Sequence, residues 1–185
     1  MRSHDKCRID INFAPQKRSF QPGKSRGIMD ISIRTLSATD YPHLARIYFI
    51  AVYEGTRELY SFQQRFAWAG ETIDLAAWQQ RCEMLQGFVA VKEDEPVGFL
   101  AMDEKGYIDL LFVLPSFARQ GVGAQLLDRA QQLAQQTGVE KLTAFASLVS
   151  QPFFSRQGWE ILSKEVVVRK GVSLDRYAMQ KDLSH

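Results

Sequence analysis

Residues 108–127 read IDLLFVLPSFARQGVGAQLL, and the rest of the chain arranges itself around them. Residues 108–114 are an apolar run of strand length. Pro115 ends it, because proline has no N–H to give a sheet ladder. After a short linker come Gly121-Val122-Gly123, and then Leu126, Leu127, Ala130, Leu133 and Ala134 recur on one side of a helix. The leading N–H groups of a helix have no partner within it and lie at the positive end of its dipole. Glycines let an anion approach such a backbone closely. The stretch therefore reads either as a pyrophosphate cradle or as a strand–helix connection whose glycines serve tight packing.

Spacing excludes two common phosphate loops. A dinucleotide turn needs GxGxxG, and its third glycine would fall on Leu126. Gly23-Lys24-Ser25 looks like the end of a GxxxxGK[ST] loop, but the first glycine would fall on Arg18 and no apolar strand precedes it.

Outward from the centre, the upstream side carries two more strand patterns, residues 88–91 and 97–102, separated by turn residues at Asp94-Glu95-Pro96. Glu104-Lys105-Gly106 turns into the central strand. Before them lie a short alternating strand at residues 30–35 and three helical stretches. The first carries Leu44, Ile47, Tyr48, Ala51 and Val52, with Thr39 or Asp40 as its cap. The second follows Ser61 with Phe62, Phe66 and Ala69. The third runs from about Asp74 with Leu75, Trp78, Cys82 and Leu85 on one face. Downstream, residues 142–147 read as a fifth strand, 152–156 as a short helix, and 161–169 and 172–179 as two strands joined at Lys170-Gly171. The order predicts a mixed α/β fold (α+β) of about six to seven strands, mostly antiparallel, with one parallel step after the central helix.

Residues 1–28 are polar, basic and without period, and read as a disordered leader; residues 29–185 read as one domain, with Met29 a plausible start. A net charge of +2 with no dense basic face argues against a nucleic-acid binder. Cys7 and Cys82 form no metal or CxxC pattern, and Cys82 reads as a buried thiol. No run is long enough to span a membrane, and no signal peptide is evident. The chain is expected to be cytoplasmic, with no metal, no nucleic acid and no membrane partner.

One pattern does match. Val113, Pro115, Gly121 and Gly123 fit V-x-P-x-x-[QR]-x-x-G-x-[GA], with Ala118 at the Gln/Arg position and Arg119 beside it. This resembles motif A of the GCN5-related N-acetyltransferase (GNAT) superfamily. Further marks are similar to its YafP-like branch: Tyr60-Ser61 before Ala67-Trp68-Ala69, Gly98-Phe99, residues 108–113, Ala146-Ser147, Pro152-Phe153-Phe154, Gly158-Trp159, Gly171-Val172 and Met179-Gln180-Lys181. The resemblance covers roughly residues 31–183.

The resemblance implies that acetyl-CoA lies in a V between the central and fifth strands. Phe112, Val113 and Leu114 would bond the pantetheine amides. Arg119, Gln120, Gly121, Val122, Gly123 and Ala124 would hold the pyrophosphate, with Arg119 either a phosphate contact or a solvated side chain. Ser147 stands where many members have an asparagine beside the pantetheine. A tyrosine that protonates the departing thiolate is replaced by Phe154; either another group serves or the thiolate leaves unassisted, since a thiol pKa is about 8.5.

Asp109, the lone carboxylate in the apolar strand, is the candidate base; read otherwise, it faces solvent or pairs with a neighbouring arginine. Tyr60 and Tyr177 are candidate acceptor-site or acid residues, or else packing. The acceptor regions carry no carboxylate cluster beyond Glu54, Glu58 and Asp74, which points to a small-molecule amine or amino-acid-like acceptor. The expected activity is direct acetyl transfer from acetyl-CoA to a primary amine. The rivals are a non-catalytic acyl-CoA-binding regulatory module of the same fold and, last, a nucleic-acid binder using the basic leader. The terminal strands offer an edge for a homodimer.

Overall fold

A computed structural model describes residues 31–183, and the leader read into residues 1–28 lies outside them. The described chain runs β1 (Ser32–Thr35), α1 (Tyr41–Tyr53), α2 (Phe62–Ala69), α3 (Leu75–Glu83), β2 (Gln86–Lys92), β3 (Glu95–Met102), β4 (Tyr107–Val113), α4 (Val122–Gln136), β5 (Lys141–Ser147), α5 (Gln151–Arg156), β6 (Glu160–Arg169) and β7 (Val172–Asp182). The strands form one sheet in the order β1-β2-β3-β4-β5-β7-β6. Every pairing is antiparallel except β4 with β5, the step that α4 crosses.

Helix starts follow local polar chemistry. Ser61 and Gln64 cap α2 reciprocally: Gln64 N–H donates to Ser61 Oγ at 3.3 Å, and Ser61 N–H donates to Gln64 Oε1 at 2.9 Å. Asp74 Oδ1 accepts from the N–H groups of Ala76 and Ala77 and so starts α3. Asp40 precedes α1, but its carboxylate does not cap that helix. Arg34 takes both its oxygens, at 2.8 and 2.6 Å, and holds it below the usual carboxylate range against the opposing effect of burial.

The sheet separates two apolar layers. On one face Leu126, Leu127, Ala130 and Ala134 of α4 pack on Leu100, Met102, Ile108 and Leu142. On the other, Leu44, Ile47 and Val52 of α1 and Trp78 and Cys82 of α3 pack on Val89, Phe99 and Leu110. Ile108 and Leu110 belong to opposite layers although they lie two residues apart, which regular alternation forbids. The β3–β4 register explains it: Met102 faces Ile108 and Ala101 faces Leu110, so Asp109 is the extra residue of a β-bulge. After the bulge Leu111 and Val113 turn to the α4 side, and Phe112 to the α1 side.

Candidate active site

The parallel pairing of β4 with β5 consists of two residue pairs, Tyr107 with Thr143 and Ile108 with Ala144. Beyond them the strands part, as the V-shaped arrangement requires, and a cleft of about 770 Å³ opens between them. One rim is formed by Pro115, Ala118 and Arg119 beyond β4; the other by residues 147–150 and the start of α5. The α1–α2 connection and the β6–β7 hairpin cover the far side.

The free edge of β4 is set by its pairing with β3. Leu114 N–H donates to Val97 C=O at 2.9 Å, so Leu114 and, two residues earlier, Phe112 direct their backbone groups towards β3. The backbone groups turned to the cleft are those of Val113 and Leu111. This corrects the expectation for Phe112 and Leu114, whose N–H groups are engaged within the sheet. Phe112 meets the cleft through its ring, which stands edge-on to Tyr48 at 5.0 Å. Leu111 was missed, though strict alternation along a strand could have supplied it: three successive residues cannot all face one edge.

The loop into α4 has the conformation of an anion nest. Arg119 has φ 61° and Gly121 φ 81°, both left-handed. The first bond within α4 runs from Gln125 N–H to Gly121 C=O at 3.1 Å, which leaves the N–H groups of Val122, Gly123 and Ala124 as the free leading donors of the helix. Nothing crowds Gly121: a side chain there would meet only Gln125, at 4.0 Å. Gln120 anchors the loop by donating from Nε2 to Ser116 C=O at 2.8 Å. An open, positively polarised arc therefore stands at the mouth of the V.

Asp109, turned out of the regular alternation by the bulge, forms an ion pair with Arg81 of α3. Nε and Nη2 of the guanidinium reach its two oxygens at 2.6 and 2.8 Å. Of the readings open for Asp109, the pairing with a neighbouring arginine is the one observed, at the cleft and next to Leu110. Tyr60 also lines the cleft, but its hydroxyl is committed: it donates to Asp175 C=O at 2.8 Å and accepts from Leu148 N–H at 2.9 Å. Burial raises its pKa above the usual tyrosine value. Tyr60 is thus a tie between the end of β5 and β7, with its proton already in use. Tyr177 does not reach the cleft lining; its side chain packs on the α4-side core. Of the readings open for the two tyrosines, packing is the one observed for Tyr177, and Tyr60 stands in the cleft wall with its hydroxyl engaged.

Ser147 closes the β5–α5 turn with Ser150: their hydroxyls lie 3.0 Å apart and Ser150 N–H donates to Ser147 Oγ at 3.1 Å. Phe154 lines the cleft from α5 and packs edge-on against Phe153 and Trp159. Tyr107, which the sequence did not single out, stands across from Phe145 with ring centroids 6.0 Å apart. Burial and then the charge of Asp109 raise its pKa, while Arg176, Arg81 and Arg169 pull the other way.

A splayed sheet with a helix N-terminus at its mouth is the arrangement that the resemblance to the acetyltransferases implies. The acetyltransferase (GNAT) domain model matches residues 56–181, and the chain belongs to that family. It is 33% identical over 156 residues to the uncharacterised N-acetyltransferase YafP of Escherichia coli (strain K12), covering 84% of this chain and 99% of that protein. A GCN5-related N-acetyltransferase from Rhodopseudomonas palustris superposes with a TM-score of 0.77 at 28% identity, covering 82% of this chain and 94% of that one. The yncA protein of Salmonella typhimurium, solved with its cofactor acetyl-CoA, shares the fold with a TM-score of 0.65 at 19% identity, over 84% of this chain and 95% of that one.

Proposed function

We propose that the protein transfers the acetyl group of acetyl-CoA directly to the primary amine of a small, amino-acid-like acceptor. The observation that carries this reading is the parting of β4 from β5 directly beside the free N–H arc at the start of α4. The separation admits an extended chain that can pair with Leu111 and Val113, and the arc suits a pyrophosphate. The acetyl-CoA held by the related yncA structure supports the same assignment. Arg119, exposed on the loop, adds a charge-assisted contact to a phosphate.

In the reaction the amine nitrogen forms a bond to the thioester carbonyl carbon, the carbon–sulfur bond breaks, and the amine loses a proton. An N–H on the free edge of β4 stabilises the negative charge growing on the carbonyl oxygen. Asp109 takes the amine proton, directly or through one water. Arg81 fixes its carboxylate, and each oxygen keeps a lone pair for this second contact. Phe154 gives no proton to the thiolate, and none is required from the protein when a thiol of pKa about 8.5 leaves near neutral pH.

The test is acetyl-CoA-dependent thiol release with a panel of amines, read together with Asp109→Asn. Removing a general base costs about 100-fold or more in kcat. We expect a loss of that size in the variant with acetyl-CoA affinity changed less than about twofold. An unchanged kcat and pH–rate profile would remove Asp109 from the mechanism, and acetyl-CoA binding without release on any amine would favour the regulatory-module reading.

A further inference from the structure

The arginines around the cleft, Arg57 apart, fall into two groups. Arg119 and Arg156 stand on the loop before α4 and on α5, where the proposed co-substrate would bring its phosphates. Arg81, Arg169 and Arg176 stand apart from them, on α3 and the β6–β7 hairpin, and all three act electrostatically on the Tyr107 hydroxyl. The one carboxylate acting there is Asp109, already paired with Arg81. Glu54, Arg57 and Glu58 line the cleft from the exposed α1–α2 connection, and Asp175 is held by Lys164 at 3.0 Å. Asp109 offsets Arg81 and Glu165 offsets Arg176, so among the described residues Arg169 is the arginine of this group with no carboxylate partner.

Two of these arginines are arranged for recognition. The Arg176 guanidinium lies 3.6 Å from the centroid of Phe145. Its Nε and Nη2 both donate to Glu165 Oε2, at 3.1 and 3.0 Å, which leaves Nη1 unengaged on a flat, fixed group. Arg169 lines the same cleft and, among the described residues, its guanidinium makes no hydrogen bond or ion pair. The hairpin that carries both is docked on α2: Gln64 Nε2 donates to Ser173 C=O at 3.0 Å, and Lys170 Nζ lies 5.6 Å from the Phe66 ring centroid.

A simple alkylamine arrives as an ammonium, its pKa near that of lysine at about 10.4. The guanidinium of Arg169, which no carboxylate offsets among the described residues, repels it. It favours the neutral, attacking form but weakens binding, unless the same molecule brings an anion. A carboxylate matches the guanidinium fork in two parallel hydrogen bonds. We infer that the acceptor carries an oxyanion, in the first place a carboxylate, close to its reacting amine, and that Arg169, on the same hairpin as Arg176, binds that group. This rests on the acetyl transfer proposed above and narrows its acceptor class.

The test compares each of several amino acids with its amide, its decarboxylated amine and its aminophosphonate, in thiol-release assays on the full chain, after calorimetry with acetyl-CoA. An anion clamp predicts kcat/KM at least about tenfold higher for the carboxylate or the phosphonate than for the amide or the plain amine. The better of the first two names the oxyanion. Arg169→Gln should raise KM for the anionic acceptor about 10- to 100-fold with kcat changed far less, and Arg169→Lys should recover part of it. Acetyl-CoA affinity should stay unchanged in both variants, which also shows that they are folded. Equal or better use of the uncharged analogues, no turnover on any anionic amine, or an unmoved KM in Arg169→Gln overturns the inference. Failure of acetyl-CoA to bind the unaltered protein overturns the parent proposal instead.

Discussion

Tyr60 joins three separate parts of the chain at the cleft. Its hydroxyl ties Leu148, just beyond β5, to Asp175 of β7, and its ring stands edge-on to Trp68 at 5.4 Å. Tyr60→Phe keeps the ring and removes both bonds, leaving the Leu148 N–H without its partner. We expect a loss of about 1–3 kcal/mol in urea denaturation; a stability within 0.3 kcal/mol, roughly the precision of such comparisons, would mean that the tie carries no load. Cys82 behaves differently from a reactive thiol. It is 1% exposed, and burial pushes its pKa up to about 11. A thiol raised above its unfolded value favours folding below the unfolded pKa, and that contribution fades as pH rises through the folded one. Stability should therefore decline from about pH 8.5 towards 11, less in Cys82→Ser than in the unaltered protein. Peptide mapping after iodoacetamide at pH 8 should find Cys82 alkylated only on unfolding. Rapid labelling of the native protein would show the site to be open.

Among the elements, β4 does most to organise the site, and its key feature was only partly legible. Its apolar run, the stop at Pro115 and the glycines at 121 and 123 are visible in the sequence, because composition and spacing alone encode them. Asp109 stood out as a carboxylate in an apolar run. The bulge that aims it did not, because a bulge is defined by register against β3, and register is a property of two strands. Tyr177 stayed open between the site and packing for a related reason: alternation within β7 says which residues share a face, but not which face meets the cleft. Partners distant in sequence, such as Arg81 for Asp109, were likewise beyond reach. The turn into β4 offers a test at this scale. Gly106 has φ 87°, and a side chain there would approach Lys141 C=O and a Val139 methyl, both at 2.7 Å. Its own carbonyl accepts from Thr143 N–H at 3.0 Å, at the closed base of the V. Gly106→Ala should cost about 2–4 kcal/mol in denaturant unfolding, from left-handed strain and overpacking together. A cost below 1 kcal/mol, roughly the lower bound for either effect alone, would mean that this junction yields freely.

At the scale of the whole molecule, the sheet works as a frame with one deliberate gap. Helices α1 and α3 seal one face and α4 the other. The strands stay paired everywhere except where β4 leaves β5, so the interior is reached through that opening. The bulge lets β4 serve both layers, and the hairpin of β6 and β7 reaches over to α2 to wall the far end. On the proposed reading, the free N–H groups before α4 serve the phosphates and Arg169 serves the acceptor, both within one cleft lined also by Asp109. The element order needed for this frame was legible from periodicity; the distribution of charge within the cleft was not, since its arginines come from α3, β6 and β7.

The most direct measurement is calorimetric titration of acetyl-CoA into the unaltered protein and into Gly121→Glu. The variant adds a negative side chain at an uncrowded left-handed position, directly in front of the helix N-terminus. We predict one site per chain with an affinity of about micromolar, near −8 kcal/mol. The variant, folded by circular dichroism, should bind at least about 100-fold more weakly, a loss of roughly 2.7 kcal/mol. No heat of binding in the unaltered protein, or equal affinity in a folded Gly121→Glu, would contradict the assignment of residues 119–124 as the pyrophosphate cradle.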